Sequence, residues 1–373
     1  MRKVGLKSLG FRKNNKSIFC FNYMEDFEII SNARKIYSEM LKDIREAKNY
    51  VYLETYIYGK DKIGRVFRNA LIKKVKEGVV VKILIDAWGS RVDKEFFKKL
   101  IENGGEVRFF REFKYVLRIL SKNHERNHRK LLIIDDRISY IGSVNIVEEC
   151  LDWRELVIRI SGDITPVFAK TFLKNWNESG KITKKRLNSI THKSFEILRD
   201  VPSEIGKLTN RRYLKLIQRA KKDIFIETPY FIPTRKIRKA FASAIKRGVR
   251  IRIIIPKVSD VNVINLLRNR YLGVIYRSGA DIYYYKKSNL HSKLLIIDDK
   301  YFLLGSSNLD YRSFIYQYEI NLLGKDIKIV RELRKHFLET LKDSELFNYK
   351  KWKSRSSFNK ILELFLYLVR RYL

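Results

Sequence analysis

Residues 128–136 read HRKLLIIDD and residues 291–299 read HSKLLIIDD. Each contains four consecutive branched apolar residues, too few for a helix and long enough for a strand. A run without polar alternation suits a strand covered on both faces, as in a sheet with helices on either side. The surroundings of the two strings also match. Residues 51–54 read VYLE and 224–227 read IFIE; each leads into a basic stretch with helical spacing, expected to make about five turns. A glycine follows, Gly78 or Gly248, and then a second apolar run, VVVKILID or VRIRIIIP. GGEVRFF (104–110) and GADIYYY (279–285) add a Gly turn and a short strand to each copy. Repeated strand–helix–strand units predict an α/β fold of two similar halves, each a mixed sheet flanked by helices, related by a pseudo-two-fold axis. The polar, basic stretch 181–193 reads as the linker between a first half, 1–180, and a second, 194–373.

The duplicated strings carry the residues of phosphodiester chemistry. His128, Lys130 and Asp135 stand at the same spacing as His291, Lys293 and Asp298. Ser143 and Asn145 follow His128 at offsets 15 and 17, and Ser306 and Asn308 follow His291 at the same offsets. Only five histidines occur in the chain, so two in matched settings form a strong signal. A neutral imidazole can attack phosphorus and form a phosphohistidine, while a second, protonated imidazole supplies the leaving alkoxide with a proton. Lysines and amides can hold the phosphoryl oxygens, so Ser143, Asn145, Ser306 and Asn308 are candidate phosphate ligands. The aspartates lie seven residues beyond their histidines, roughly 23 Å along a straight strand, and read as turn residues within the motif. Orientation of the imidazoles then falls to Glu155 and Glu319, each on a strand-like run 27 or 28 residues past its histidine. The chemistry requires no metal or cofactor, and no His/Cys/Asp cluster has ligand spacing.

Composition narrows the setting without deciding it. A formal charge of +38, from 79 Lys+Arg and 41 Asp+Glu, attracts nucleic acid or an anionic membrane face. Cys20 and Cys150 form no disulfide framework, and a reducing cytosol suits them. No stretch approaches the ~20 uninterrupted apolar residues of a spanning helix, so membrane contact is expected to be peripheral. Two segments mix apolar and basic residues as interfacial elements do: FKYVLRILSK (113–122) and SFNKILELFLYLVRRYL (357–373). The second can equally be an ordinary amphipathic helix packed on the core.

Two intact H-x-K-x4-D strings, each with a Gly-Ser-x-Asn tail, resemble the signature of the phospholipase D superfamily. Further strings resemble bacterial cardiolipin synthases: YLETYIY (52–58), LIDAWGS (84–90), IETPYFIP (226–233) and GSSNLDYRSF (305–314). WRELVIRISGDI (153–164) is similar as well, with Glu155 where that family usually has Asp, and Gln317 stands where Asn is more usual. The chain looks like a short form of that family without N-terminal spanning helices. The resemblance implies transfer of a phosphatidyl group between two phosphatidylglycerol molecules at the cytoplasmic face of the membrane. It implies no obligate nucleic-acid partner, and it leans toward His128 as nucleophile. Hydrolysis, another phosphatidyl transfer such as phosphatidylserine synthesis, a phosphodiester nuclease and a non-catalytic anionic-surface binder are the competing readings.

Overall fold

The computed structural model describes residues 26–110, 125–179, 189–202 and 207–370. The first half folds into β1 (Phe27–Asn32), β2 (Tyr50–Thr55), β3 (Val80–Asp86), β4 (Glu106–Phe110), β5 (Leu131–Ile134), β6 (Ile138–Gly142) and β7 (Arg154–Ser161). These strands form one sheet in the order β1-β7-β6-β5-β2-β3-β4. The second half supplies β8 (Ile190–His192), β9 (Phe195–Asp200), β10 (Asp223–Glu227), β11 (Arg250–Pro256), β12 (Asp281–Tyr285), β13 (Leu294–Ile297), β14 (Tyr301–Gly305), β15 (Glu319–Gly324) and β16 (Ser344–Leu346). Their order is β16-β12-β11-β10-β13-β14-β15-β9-β8. Without the edge strands β16 and β8, the two sheets match strand for strand. In each, the strand–helix–strand units give three parallel strands and the motif strand pairs antiparallel beside them.

The apolar runs of the motifs are continuous because each strand faces two cores. Leu131 and Ile133, with Leu294 and Ile296, enter a central core shared by both sheets. Leu132 and Ile134 enter the outer core of the first half, and Leu295 and Ile297 that of the second. The central core also receives Phe168, Phe172 and Trp176 from the helix Thr165–Glu178, and Leu333 and Phe337 from the helix Ile327–Lys342. Its many large apolar side chains, each worth about 1.5–3 kcal/mol when fully buried, fasten one half to the other.

Local expectations fare unevenly. The basic helices after β2 and β10 are Lys62–Lys76 and Arg235–Lys246, of 15 and 12 residues, shorter than about five turns because Glu77–Gly78 and Arg247–Gly248 end them. Gly78 and Gly248 sit at φ +85° and +86° with open space where a Cβ would be, so the left-handed backbone rather than crowding calls for glycine. Residues 190–192 of the expected linker are strand β8, paired with β9. The preceding residues 181–188, and the whole of 113–122, lie outside the described residues. The C-terminal stretch forms the helix Ser357–Val369. Among the described residues no helix is long and apolar enough to cross a membrane.

Candidate active site

The histidines and lysines of the motifs lie in extended lead-ins, one step before β5 and β13 begin. Each lead-in forms a short parallel bridge to the other half, at the residue preceding the glutamate. His128 N–H donates to the Tyr318 carbonyl at 2.9 Å and Tyr318 N–H to the Arg126 carbonyl at 2.8 Å. In the mirrored arrangement His291 N–H donates to Arg154 O at 2.8 Å and Arg154 N–H to Asn289 O at 2.9 Å. These bridges seat each histidine on the glutamate of the opposite half. His128 Nδ1 lies 3.2 Å from both carboxylate oxygens of Glu319. His291 Nδ1 lies 2.9 and 3.0 Å from those of Glu155. The glutamates therefore cross over, and both imidazoles are left with Nε2 unengaged by them.

Each glutamate is held in turn. Ser143 Oγ donates to Glu155 and accepts the Leu156 N–H at 2.8 Å. Ser306 Oγ donates to Glu319 and accepts the Ile320 N–H at 2.9 Å. Fully buried, the two hydroxyls that were expected to meet a phosphate engage the carboxylates. The motif aspartates are also outside the site, which removes Asp135 and Asp298 from any direct part in chemistry. Asp135, at φ +52° in the β5–β6 turn, accepts backbone N–H groups of Lys48, Asn49 and Tyr50 at 2.8–3.0 Å. Asp298, at φ +54°, does the same for Lys221, Lys222 and Asp223 at 2.7–3.1 Å. They lie at the far end of the motif strands because a strand cannot double back on its own histidine.

Lys130 and Lys293 are buried beside the imidazoles, each ammonium donating to its own histidine's carbonyl, at 2.8 and 2.6 Å. Burial and the nearby Lys293 lower Lys130 to about 7. Burial lowers Lys293 to about 8, although Glu155, Asp260 and Glu319 oppose the shift. Asn145 Oδ1 accepts the Ile57 N–H at 3.3 Å, and the buried Asn308 amide has an Oδ1 without a partner. Tyr56 and Trp153 pack edge-to-face on His128 and His291, with centroids 5.0 and 5.2 Å apart.

The two His–Glu pairs differ electrically. Burial, then Lys130, Lys293, His291 and Arg312, hold His128 well below the usual imidazole value. Burial raises its partner Glu319, against the opposing pull of Ser306, Lys130 and Lys207. Burial also lowers His291, but Glu155 resists, and the influence of His291 and Lys293 keeps Glu155 below the usual carboxylate range despite its burial.

Sequence reasoning missed several residues here. Arg312, in the helix Tyr311–Ile315, is close enough to act on His128, and its Nε is buried without a partner. Lys207 is buried against the Ser313 and Gln317 carbonyls and lowered by burial to about 8. Asp86 accepts the N–H groups of Trp88, Gly89 and Asn127, tying the loop after β3 to the first motif. Asp86 and Arg312 lie in strings already noted, yet only Asp86, an acid at the end of an apolar strand before a turn, carries a local signal.

Two matching sheets that share one core, with each buried His–Lys segment bridged to the glutamate of the other half, make a phospholipase D-like enzyme fold. The family model described as "Cardiolipin synthase, PLD-like domain" matches residues 40–176 and again 213–341. The major cardiolipin synthase of Bacillus subtilis is 33% identical over 94% of this chain and 75% of its own length. A Clostridium perfringens cardiolipin synthase is 31% identical, covering 97% and 79%. The chain belongs to the cardiolipin synthase family of phospholipase D-like proteins. A solved phosphatidylserine synthase from Haemophilus influenzae superposes with a TM-score of 0.73 over 93% of this chain and 95% of its own, at 15% identity, a likeness of fold.

Proposed function

We propose that this chain is a cardiolipin synthase that transfers a phosphatidyl group from one phosphatidylglycerol to the hydroxyl of another through a phosphohistidine on His128. The observation that carries the mechanism is the crossed pairing of His128 with Glu319 and His291 with Glu155. With Nδ1 fixed on a carboxylate, each imidazole keeps Nε2 for the reacting phosphoryl group. His128, the more strongly held neutral, is suited to attack; His291, backed by an ionised Glu155, is suited to carry a proton.

In the first step His128 Nε2 forms a bond to phosphorus. The bond to the glycerol oxygen breaks, and that oxygen leaves with the proton of His291. In the second step a hydroxyl of the other phosphatidylglycerol gives its proton to His291 and attacks phosphorus. This yields cardiolipin and frees His128. Lys130, Lys293 and the amides of Asn145 and Asn308 surround the charge on the phosphoryl oxygens. The anionic lipid meets a strongly basic chain at the membrane surface, and we place the enzyme at its cytoplasmic face. The test is the ratio of cardiolipin to phosphatidic acid as the surface density of phosphatidylglycerol is raised. The ratio should climb with density, because lipid hydroxyls compete with water for the phosphohistidine. A ratio near zero at every density makes the protein a hydrolase.

A further inference from the structure

The helix Ser357–Val369 turns its apolar side outward. Phe358, Ile361, Phe365 and Leu368 are 73, 68, 61 and 69% exposed, with Leu364 beside them at 48%. Their spacing of three, four and three residues puts them in one stripe along the helix. The opposite side is already occupied: Leu366 and Tyr367 pack on the outer core of the second half, and Glu363 is buried against Arg355 at 2.8 and 2.9 Å. The stripe is therefore left over after the helix has docked.

Its surroundings indicate what covers it. Lys350, Lys351, Lys353 and Lys360 are exposed around the start of the helix, and Arg370 stands at its end. The one acid between residues 347 and 370 is the buried Glu363. A second copy of this chain seated isologously would bring like cations together at both ends of the stripe. An anionic lipid surface satisfies the apolar stripe and its cationic ends together. The end of the helix lies against the helix that carries Arg312: the Arg370 guanidinium is 5.7 Å from the ring of Tyr311.

We infer that the outward stripe of this helix is the membrane-docking element, seated in the headgroup layer of an anionic bilayer. The inference rests on the lipid reading of the active site. The test uses the full chain and vesicles of phosphatidylcholine with or without phosphatidylglycerol, sedimented at low and high salt. Combined Phe358→Ser, Ile361→Ser, Phe365→Ser and Leu368→Ser should lower partitioning onto phosphatidylglycerol vesicles by about tenfold or more, chiefly in the part that survives high salt. Turnover of a short-chain phosphatidylglycerol dissolved as monomer should be unchanged, which also shows that the variant is folded. A second variant, Ile361→Cys in a Cys20→Ser chain, carries an environment-sensitive dye, since Cys150 is buried. Its emission should shift to the blue on these vesicles. Unchanged partitioning of the fourfold variant, or no shift of the dye, overturns the inference. So does a wild-type dimer that the fourfold variant turns into a monomer with vesicle binding intact. Wild-type chain that binds through the stripe yet leaves monomeric phosphatidylglycerol untouched keeps the docking element and overturns the lipid chemistry instead.

Discussion

The two halves share a strand order, a motif and a bridge, yet their His–Glu pairs have diverged. On one side the Glu155 contacts to His291 are 2.9 and 3.0 Å, and the carboxylate stays ionised. On the other, Glu319 sits 3.2 Å from His128 through both oxygens, its pKa raised by burial, and the cation of Arg312 bears on the imidazole. Duplication supplies two equivalent histidines, whereas phosphoryl transfer needs two different ones. Burial is the largest influence on His128 and Glu319, and Arg312, outside the motif, adds to the lowering of His128.

The widest separation should come from removing the rings themselves. His128→Ala and His291→Ala should each lower turnover by about 10⁴-fold or more. Labelled phosphatidylglycerol should mark the His291→Ala protein covalently and leave the His128→Ala protein unmarked. Label on both variants, or label on serine, would reverse or erase the assigned difference. Next come the carboxylates. Glu155→Gln should cost about 100-fold in kcat, because His291 loses the charge that supports its proton. Glu319→Gln should cost about tenfold, because its partner works as a neutral ring. Equal losses would mean the pairs are electrically alike.

Lysine titration gives a smaller, pH-dependent effect. In the empty site Lys130 loses its proton near 7 and Lys293 near 8. A bound phosphodiester anion raises both, so binding should take up protons as pH passes about 7, and KM should rise above about pH 8. Calorimetry in buffers of different ionisation heat measures the uptake. The same depression has a cost in stability. The unfolded chain holds the Lys130 proton up to about 10.5 and the folded chain only to about 7. The penalty is therefore complete below 7 and fades as pH climbs to the unfolded value. Lys130→Met should raise Tm at pH 6 by a few degrees while lowering kcat by about 100-fold. The smallest effect on rate belongs to the motif aspartates. Asp135→Asn and Asp298→Asn should leave kcat within about twofold and lower stability by about 1–3 kcal/mol, as seen by thermal melting, because each carboxylate satisfies three backbone donors.

The sheets were legible because LLII is a local pattern: four apolar residues in a row announce a strand with two buried faces, and Leu131 to Ile134 divide between two cores accordingly. The duplication of the motif histidine was legible directly, one copy in each half. The exchange of glutamates was not, because it depends on a bridge between Asn127 and Tyr318, 191 positions apart. The contacts of the serines were hidden for a similar reason. A hydroxyl next to a motif glycine suits a phosphate as well as a carboxylate, and only the seating of Glu155 and Glu319 decides between them. Strand β8 was hidden in a polar stretch whose three residues pair at a sheet edge, where pattern is weakest.

The crossed glutamates also order events in time. A chain emerging from the ribosome completes its first sheet with His128 in place, but the carboxylate that aims this ring is encoded 191 residues later. Until Glu319 has been made and its strand has docked, the nascent protein holds the proposed nucleophile without the carboxylate that fixes it. Glu155 waits in the same way for His291. Fragments that hold only one half therefore lack a complete His–Glu pair, and both pairs form only when the halves close on each other.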